Sequence, residues 1–176
     1  MKLFTKILIS GIFIAMMLNS CLKKEEFPPE PELTFISFTK MSADSAVFTF
    51  SFVDGDGDIG LEIGDTLPPY NASGDYHYNL VLQYYERKNG EWVKGTEDPS
   101  GDNSPNFKSI ISGYRIKNIT PTGQNKLLKG QIDVFIEPFY FNPFSNWNDT
   151  IQWRAFMYDR ALNKSNIIES NPIPIL

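Results

Sequence analysis

The chain has one cysteine and one histidine among its 176 residues. A single thiol excludes an intrachain disulfide, and with it the stapled secreted mini-domain. A single imidazole, His77, argues against a histidine-rich metal centre and a conventional histidine-based triad. It does not exclude an enzyme built on carboxylates. Basic residues number 16 against 21 acidic ones, so nucleic acid is not expected as a partner, because phosphate backbones select positive surfaces. No apolar run reaches the length of an ordinary membrane-crossing helix. No stretch shows a convincing helical heptad, and no segment repeats. No catalytic set of nucleophile and base stands out, so the chain reads as non-enzymatic.

What is present begins with a leader. Lys2 and Lys6 precede an apolar run from Ile7 to Leu18, 12 residues long. That is the length of a signal-peptide core, and residues 1–20 are assigned to it. Leu18-Asn19-Ser20-Cys21 then resembles the bacterial lipobox, which implies lipidation of Cys21 and partnership with a membrane through the lipid anchor. Removing the leader leaves 14 basic residues against 21 acidic, a net charge of −7. Residues 21–32 form the lipidated cysteine and a tether, stiffened by Pro28, Pro29 and Pro31. Glu25 and Glu26 close behind the cysteine resemble the acidic surface-export signal of Bacteroidetes lipoproteins. The resemblance implies a cell-envelope location, in the outer membrane and displayed outwards.

About 150 residues remain, enough for one domain with a substantial core. Aromatics make up 14% of the chain and fall in short alternating runs, which favours sheet. Phe48, Phe50 and Phe52 alternate with Thr49 and Ser51, the pattern of a strand with one buried face. Further strands are expected over 32–39, 76–87, 107–119, 127–137, 149–158 and 167–175. Asn89-Gly90 marks a tight hairpin into Glu91-Trp92-Val93. Residues 96–106 and 138–148 read as loops. The sum is an all-β domain over 33–176, an antiparallel β-sandwich of about seven or eight strands.

The chemistry concentrates in Ser51 to Asp65, SFVDGDGDIGLEIGD. Asp54, Asp56 and Asp58 stand two apart with glycines between, so they can curl around one hard cation, and calcium takes such oxygen ligands. Carboxylates crowded in this way repel one another unless a cation is present. Gly60, through its carbonyl, Glu62 and Asp65 stand at the seventh, ninth and twelfth positions of that register. An EF-hand is excluded: Ile59 occupies the sixth position, where glycine is needed, Asp65 replaces glutamate, and a strand runs straight into the loop. Asp159 or Asn163, from a late turn, is a candidate to complete the shell. The alternative is an acidic turn whose carboxylates are simply solvated.

FVDGDGDIG behind an alternating strand resembles a pattern of uncharacterised Bacteroidetes lipoproteins. DRALNKSN, residues 159–166, is similar to a late segment of the same proteins and of immunoglobulin-like domains, with Leu162 in place of the usual glycine. The resemblance implies an immunoglobulin-like β-sandwich and no particular activity. Asp44-Ser45-Ala46, Asp65-Thr66-Leu67 and Asp149-Thr150-Ile151 match the Asp-(Ser/Thr)-apolar pattern of Bacteroidetes O-glycosylation.

Two kinds of function follow. One is a surface-anchored binding or structural module for an unidentified protein or glycan, such as an accessory lipoprotein of glycan uptake. Trp92, Tyr140, Phe144 and Trp147 lie in or near loops and form its candidate ligand surface. The other is a carboxylate-based glycoside hydrolase drawing on Glu86, Glu137 or Asp159.

Overall fold

The structure, a computed structural model, describes residues 27–175. The signal peptide, Cys21 and the first part of the tether lie outside the described residues. Nine strands and no helix are present among the described residues: β1 (Glu32–Lys40), β2 (Ala46–Asp54), β3 (Leu80–Lys88), β4 (Glu91–Lys94), β5 (Ile111–Tyr114), β6 (Leu128–Ile136), β7 (Thr150–Met157), β8 (Ile168–Glu169) and β9 (Ile173–Pro174). They form two antiparallel sheets. One has the order β1-β2-β6. The other runs β4-β3-β7-β8, with β5 also on β3 and β9 also on β7.

The alternation of β2 places its aromatic face inward. Phe48 and Phe50 are wholly buried and Phe52 nearly so, facing Leu80, Leu82, Tyr84, Ile151, Trp153 and Met157 of the opposite sheet. Thr49, expected on the outer face, is also covered. It pairs with Asp133 across the β2–β6 ladder and donates its hydroxyl to that carboxylate at 2.8 Å. A bulge in β1 leaves Ile36 unpaired and 48% exposed, which kinks this edge strand. At the β3–β4 turn Asn89 and Gly90 both have positive φ, 52° and 88°, as a type I′ hairpin requires.

Three expectations need correction. Residues 167–175 form two short strands rather than one, because Pro172 interrupts the ladder. Residues 76–79 are not strand: Asn79 turns inward and brackets Ile116, accepting from its amide at 2.7 Å and donating to its carbonyl at 3.2 Å. Of 107–119 only Ile111–Tyr114 is strand. The stretch after it leaves the sheet to bond the acidic loop, with Leu61 donating to the Ile116 carbonyl at 2.9 Å and Asn118 to the Leu61 carbonyl at 3.1 Å.

The sandwich therefore has two unlike ends. One gathers the end of β2, the start of β3 and the end of β7, and carries the acidic loop. The other gathers the start of β2 and the end of β3 with the aromatic loop 137–149.

Candidate metal centre

Period-two geometry explains the most unusual residue of the acidic loop. Asp54 is the last residue of β2 and continues the face of Phe48, Phe50 and Phe52. The strand therefore aims this carboxyl between the sheets, where it is 0% exposed. Its Oδ1 accepts from the Gly57 amide at 3.1 Å. Its Oδ2 is buried and has no hydrogen-bond partner. Asp58 is in the same condition on one side: Oδ2 accepts from the Ala161 amide at 3.0 Å, and Oδ1 is buried without a partner.

Asp54, Asp56 and Asp58 each offer an oxygen within 4.8 Å of the others. Opposite ligands on a calcium ion stand about 5 Å apart, twice the usual Ca–O distance. The three oxygens therefore fit one coordination sphere. Asp159 adjoins them. It is buried, its charge raises the proton affinity of Asp58, and Asn163 holds it with its backbone amide and side-chain amide, both at 2.8 Å.

Burial, then the adjacent Asp56 carboxylate and the Asp58 charge, push the Asp54 carboxyl up to about 7. Burial, then the charges of Asp159 and Asp56, raise Asp58. Burial also raises Asp159, with the Asp56 charge adding to it. Around the exposed Asp56, three neighbouring acids are thus held back from ionisation, an arrangement that a bound cation would relieve.

Several sequence-level ligand candidates have other occupations. Asp65 makes a two-pronged pair with Arg160, at 2.6 and 2.9 Å, which holds its carboxyl below the ordinary range. Glu62 is exposed and accepts from the Asn118 side chain at 2.7 Å. Gly60 acts by size: with φ at 103°, an added Cβ would stand 2.1 Å from the Lys117 carbonyl oxygen. Ile59 is wholly buried, so the position where a calcium hand needs glycine here supplies a core anchor. The late turn adjoins the loop: Arg160 donates its amide to the Asp58 carbonyl at 3.1 Å, and Leu162 takes a left-handed backbone, φ 70°, of the kind that favours glycine.

The aromatic candidates separate. Tyr140 is 3% exposed and belongs to the core, where its carbonyl accepts from the Trp153 indole at 2.9 Å. It leaves the ligand surface because the loop 138–147 folds back over the sandwich end. Trp92 is half-buried beside Arg87, and Trp147 half-buried beneath Lys88. Phe144 alone of the four stands free, 81% exposed, at a cleft of about 450 Å³ with Thr96, Asp98, Ile110 and Asn142 on its walls. Sequence reading missed Ile110 and the half-exposed Phe139 nearby, which carry no spacing signal. Thr66, in one of the O-glycosylation tripeptides, is exposed.

Compared with known proteins, the chain matches no family model, no curated protein and no solved structure.

Proposed function

We propose that this protein is an envelope-anchored, non-enzymatic binding or structural module whose acidic end is clamped by calcium. The observation that carries the reading is the pair of buried, partnerless oxygens, Asp54 Oδ2 and Asp58 Oδ1, within a set of crowded carboxylates. A buried anionic oxygen without a donor is costly, and a hard cation removes that cost by ligation. Asp54, Asp56 and Asp58 hold the ion, with Asp159 beside them. Because Asp54 ends a strand of one sheet and Asp159 follows a strand of the other, the ion ties the two sheets together. Its role is to fix loops. The anchor itself rests on the lipobox-like Cys21 and the acidic tether, which support an outer-membrane location.

The hydrolase reading loses one of its pairings. Glu86 and Asp159 belong to opposite ends of the sheet, since Glu86 pairs with Ile151, eight residues before Asp159. Extended chain of that length spans roughly 25 Å, far beyond the separation of any glycosidase pair.

Titration calorimetry of the full-length chain in detergent tests the calcium reading. We expect one calcium ion per chain, with Asp58→Asn abolishing the heat. Absence of heat for the unaltered chain defeats it.

The glycan version of the binding role is favoured by one feature, the free Phe144 ring on a cleft with amide, hydroxyl and carboxylate walls. Sugars stack their C–H faces on such rings and hydrogen-bond at the sides. A glycan array is expected to give hits that Phe144→Ala erases. An array blank for the unaltered protein counts against this version.

A further inference from the structure

The segment by which the chain enters the domain is seated on the two loops that carry the carboxylates. Gly55, between Asp54 and Asp56, donates its amide to the Pro28 carbonyl at 3.0 Å. The approach is close: a Cβ on Gly55 would stand 2.4 Å from the carbonyl oxygens of both Phe27 and Pro28. The Lys129 ammonium covers the Phe27 ring, 4.0 Å from its centroid. Pro31 is buried. Two residues on, Leu33 is bracketed by Asn166, which accepts from its amide at 2.7 Å and donates to its carbonyl at 2.9 Å. Asn166 lies in the turn that also contains Asp159. The entry segment therefore bonds the acidic loop with its first half and the Asp159 turn with its second.

These contacts depend on the shape of both loops. With a cation held between Asp54, Asp56 and Asp58, the peptide at Gly55 is fixed from both sides. Without one, like charges a few ångströms apart push the loop open, and the surface that receives Phe27 and Pro28 changes with it. We propose that cation binding at this centre governs the docking of residues 27–33, so that the joint between tether and domain is stiff with calcium bound and loose without it. The proposal rests on the calcium reading above. Linkage makes the coupling reciprocal: whatever factor calcium contributes to docking, docking contributes to calcium affinity.

Hydrogen exchange on the full-length chain in detergent tests it, comparing calcium with chelator. Calcium is expected to slow exchange at the amides of residues 27–33 and at Gly55 about tenfold, a coupling of ordinary size. Gly55→Ala expels the segment by contact, and Phe27→Ala weakens it from the other side. Each is expected to lower calcium affinity by about 3- to 10-fold, the range that such a coupling implies. Phe27→Ala keeps the test decisive if the alanine at 55 prevents folding. Calcium heat with unchanged exchange in the entry segment overturns this proposal and leaves the calcium reading standing. An absence of calcium heat removes both.

Discussion

Asp54→Asn is expected to lower the melting temperature in calcium and to raise it in chelator. The reversal follows from two opposed terms at one carboxyl. With calcium at about a hundred times its dissociation constant, ligation contributes about 2.7 kcal/mol, and for a domain of this size that corresponds to roughly 5–10 °C. The asparagine keeps an oxygen for the Gly57 amide but removes the charge that the ion requires. In chelator the same change relieves a buried anion crowded by Asp56 and Asp58, and the chain gains. The pH dependence has a definite sign. Because the folded carboxyl titrates near 7, against an ordinary value of 3.8, the ion-free folded state holds a proton that the unfolded chain releases. That contribution is complete below pH about 4 and is lost as pH rises through 7. Chelated protein is therefore expected to melt higher at pH 5.5 than at pH 7.5, with Asp54→Asn flattening this difference. Melting curves in both buffers check it, and a substitution that lowers stability equally in calcium and in chelator rules the clamp out.

Glu86→Ala is expected to cost about 3–4 kcal/mol, the loss associated with breaking a buried, fully partnered polar network. Glu86 is wholly buried at the aromatic end of β3. It accepts from the Tyr84 hydroxyl at 2.8 Å, from the Asn103 side chain and from the Ser145 hydroxyl. Tyr84 in turn accepts from the Asn142 amide at 3.0 Å. One carboxylate thus holds the loops on both sides of the Phe144 cleft. Its removal leaves the buried Tyr84 and Asn103 donors without an acceptor and Ser145 with only the Gly101 carbonyl at 3.3 Å, and loosens the cleft as well as the fold. Urea titration measures the cost, and a variant within 1 kcal/mol of the unaltered protein, the ordinary scale of a surface change, contradicts the assignment.

Much of this architecture was legible because period-two patterning reports directly on burial. Phe48, Phe50 and Phe52, and likewise Ile151, Trp153, Ala155 and Met157, are inward where alternation places them. The same rule, extended one step, reaches Asp54. Less legible were residues whose role depends on a distant partner. Asp65 sits at a good ligand spacing, yet Arg160, 95 positions later, takes it. Glu86 has nothing in its neighbourhood to separate it from an exposed strand acid, because its partners Asn103 and Ser145 come from two remote loops. Tyr140 resembles any loop aromatic until Trp153 is placed beneath its carbonyl. Local periodicity encodes which way a side chain points. Polar pairing across the sandwich is not local, and spacing alone does not contain it.

The entry of the chain at the acidic end also determines how the domain carries load. β1 begins at that end and finishes beside Tyr140 at the other, where Phe38 packs on its ring. A pull on residue 27, resisted by something held at Phe144, runs along the length of β1. The rungs between β1 and β2, from Glu32–Val53 to Lys40–Ala46, then bear it in shear and together rather than parting one by one. The seat at Gly55 and the Asn166 bracket take the first of that tension before the ladder does. For a domain pulled from one end and held at the other, the acidic joint thus meets the force first, and on the proposal above the calcium in the medium sets how firmly it holds.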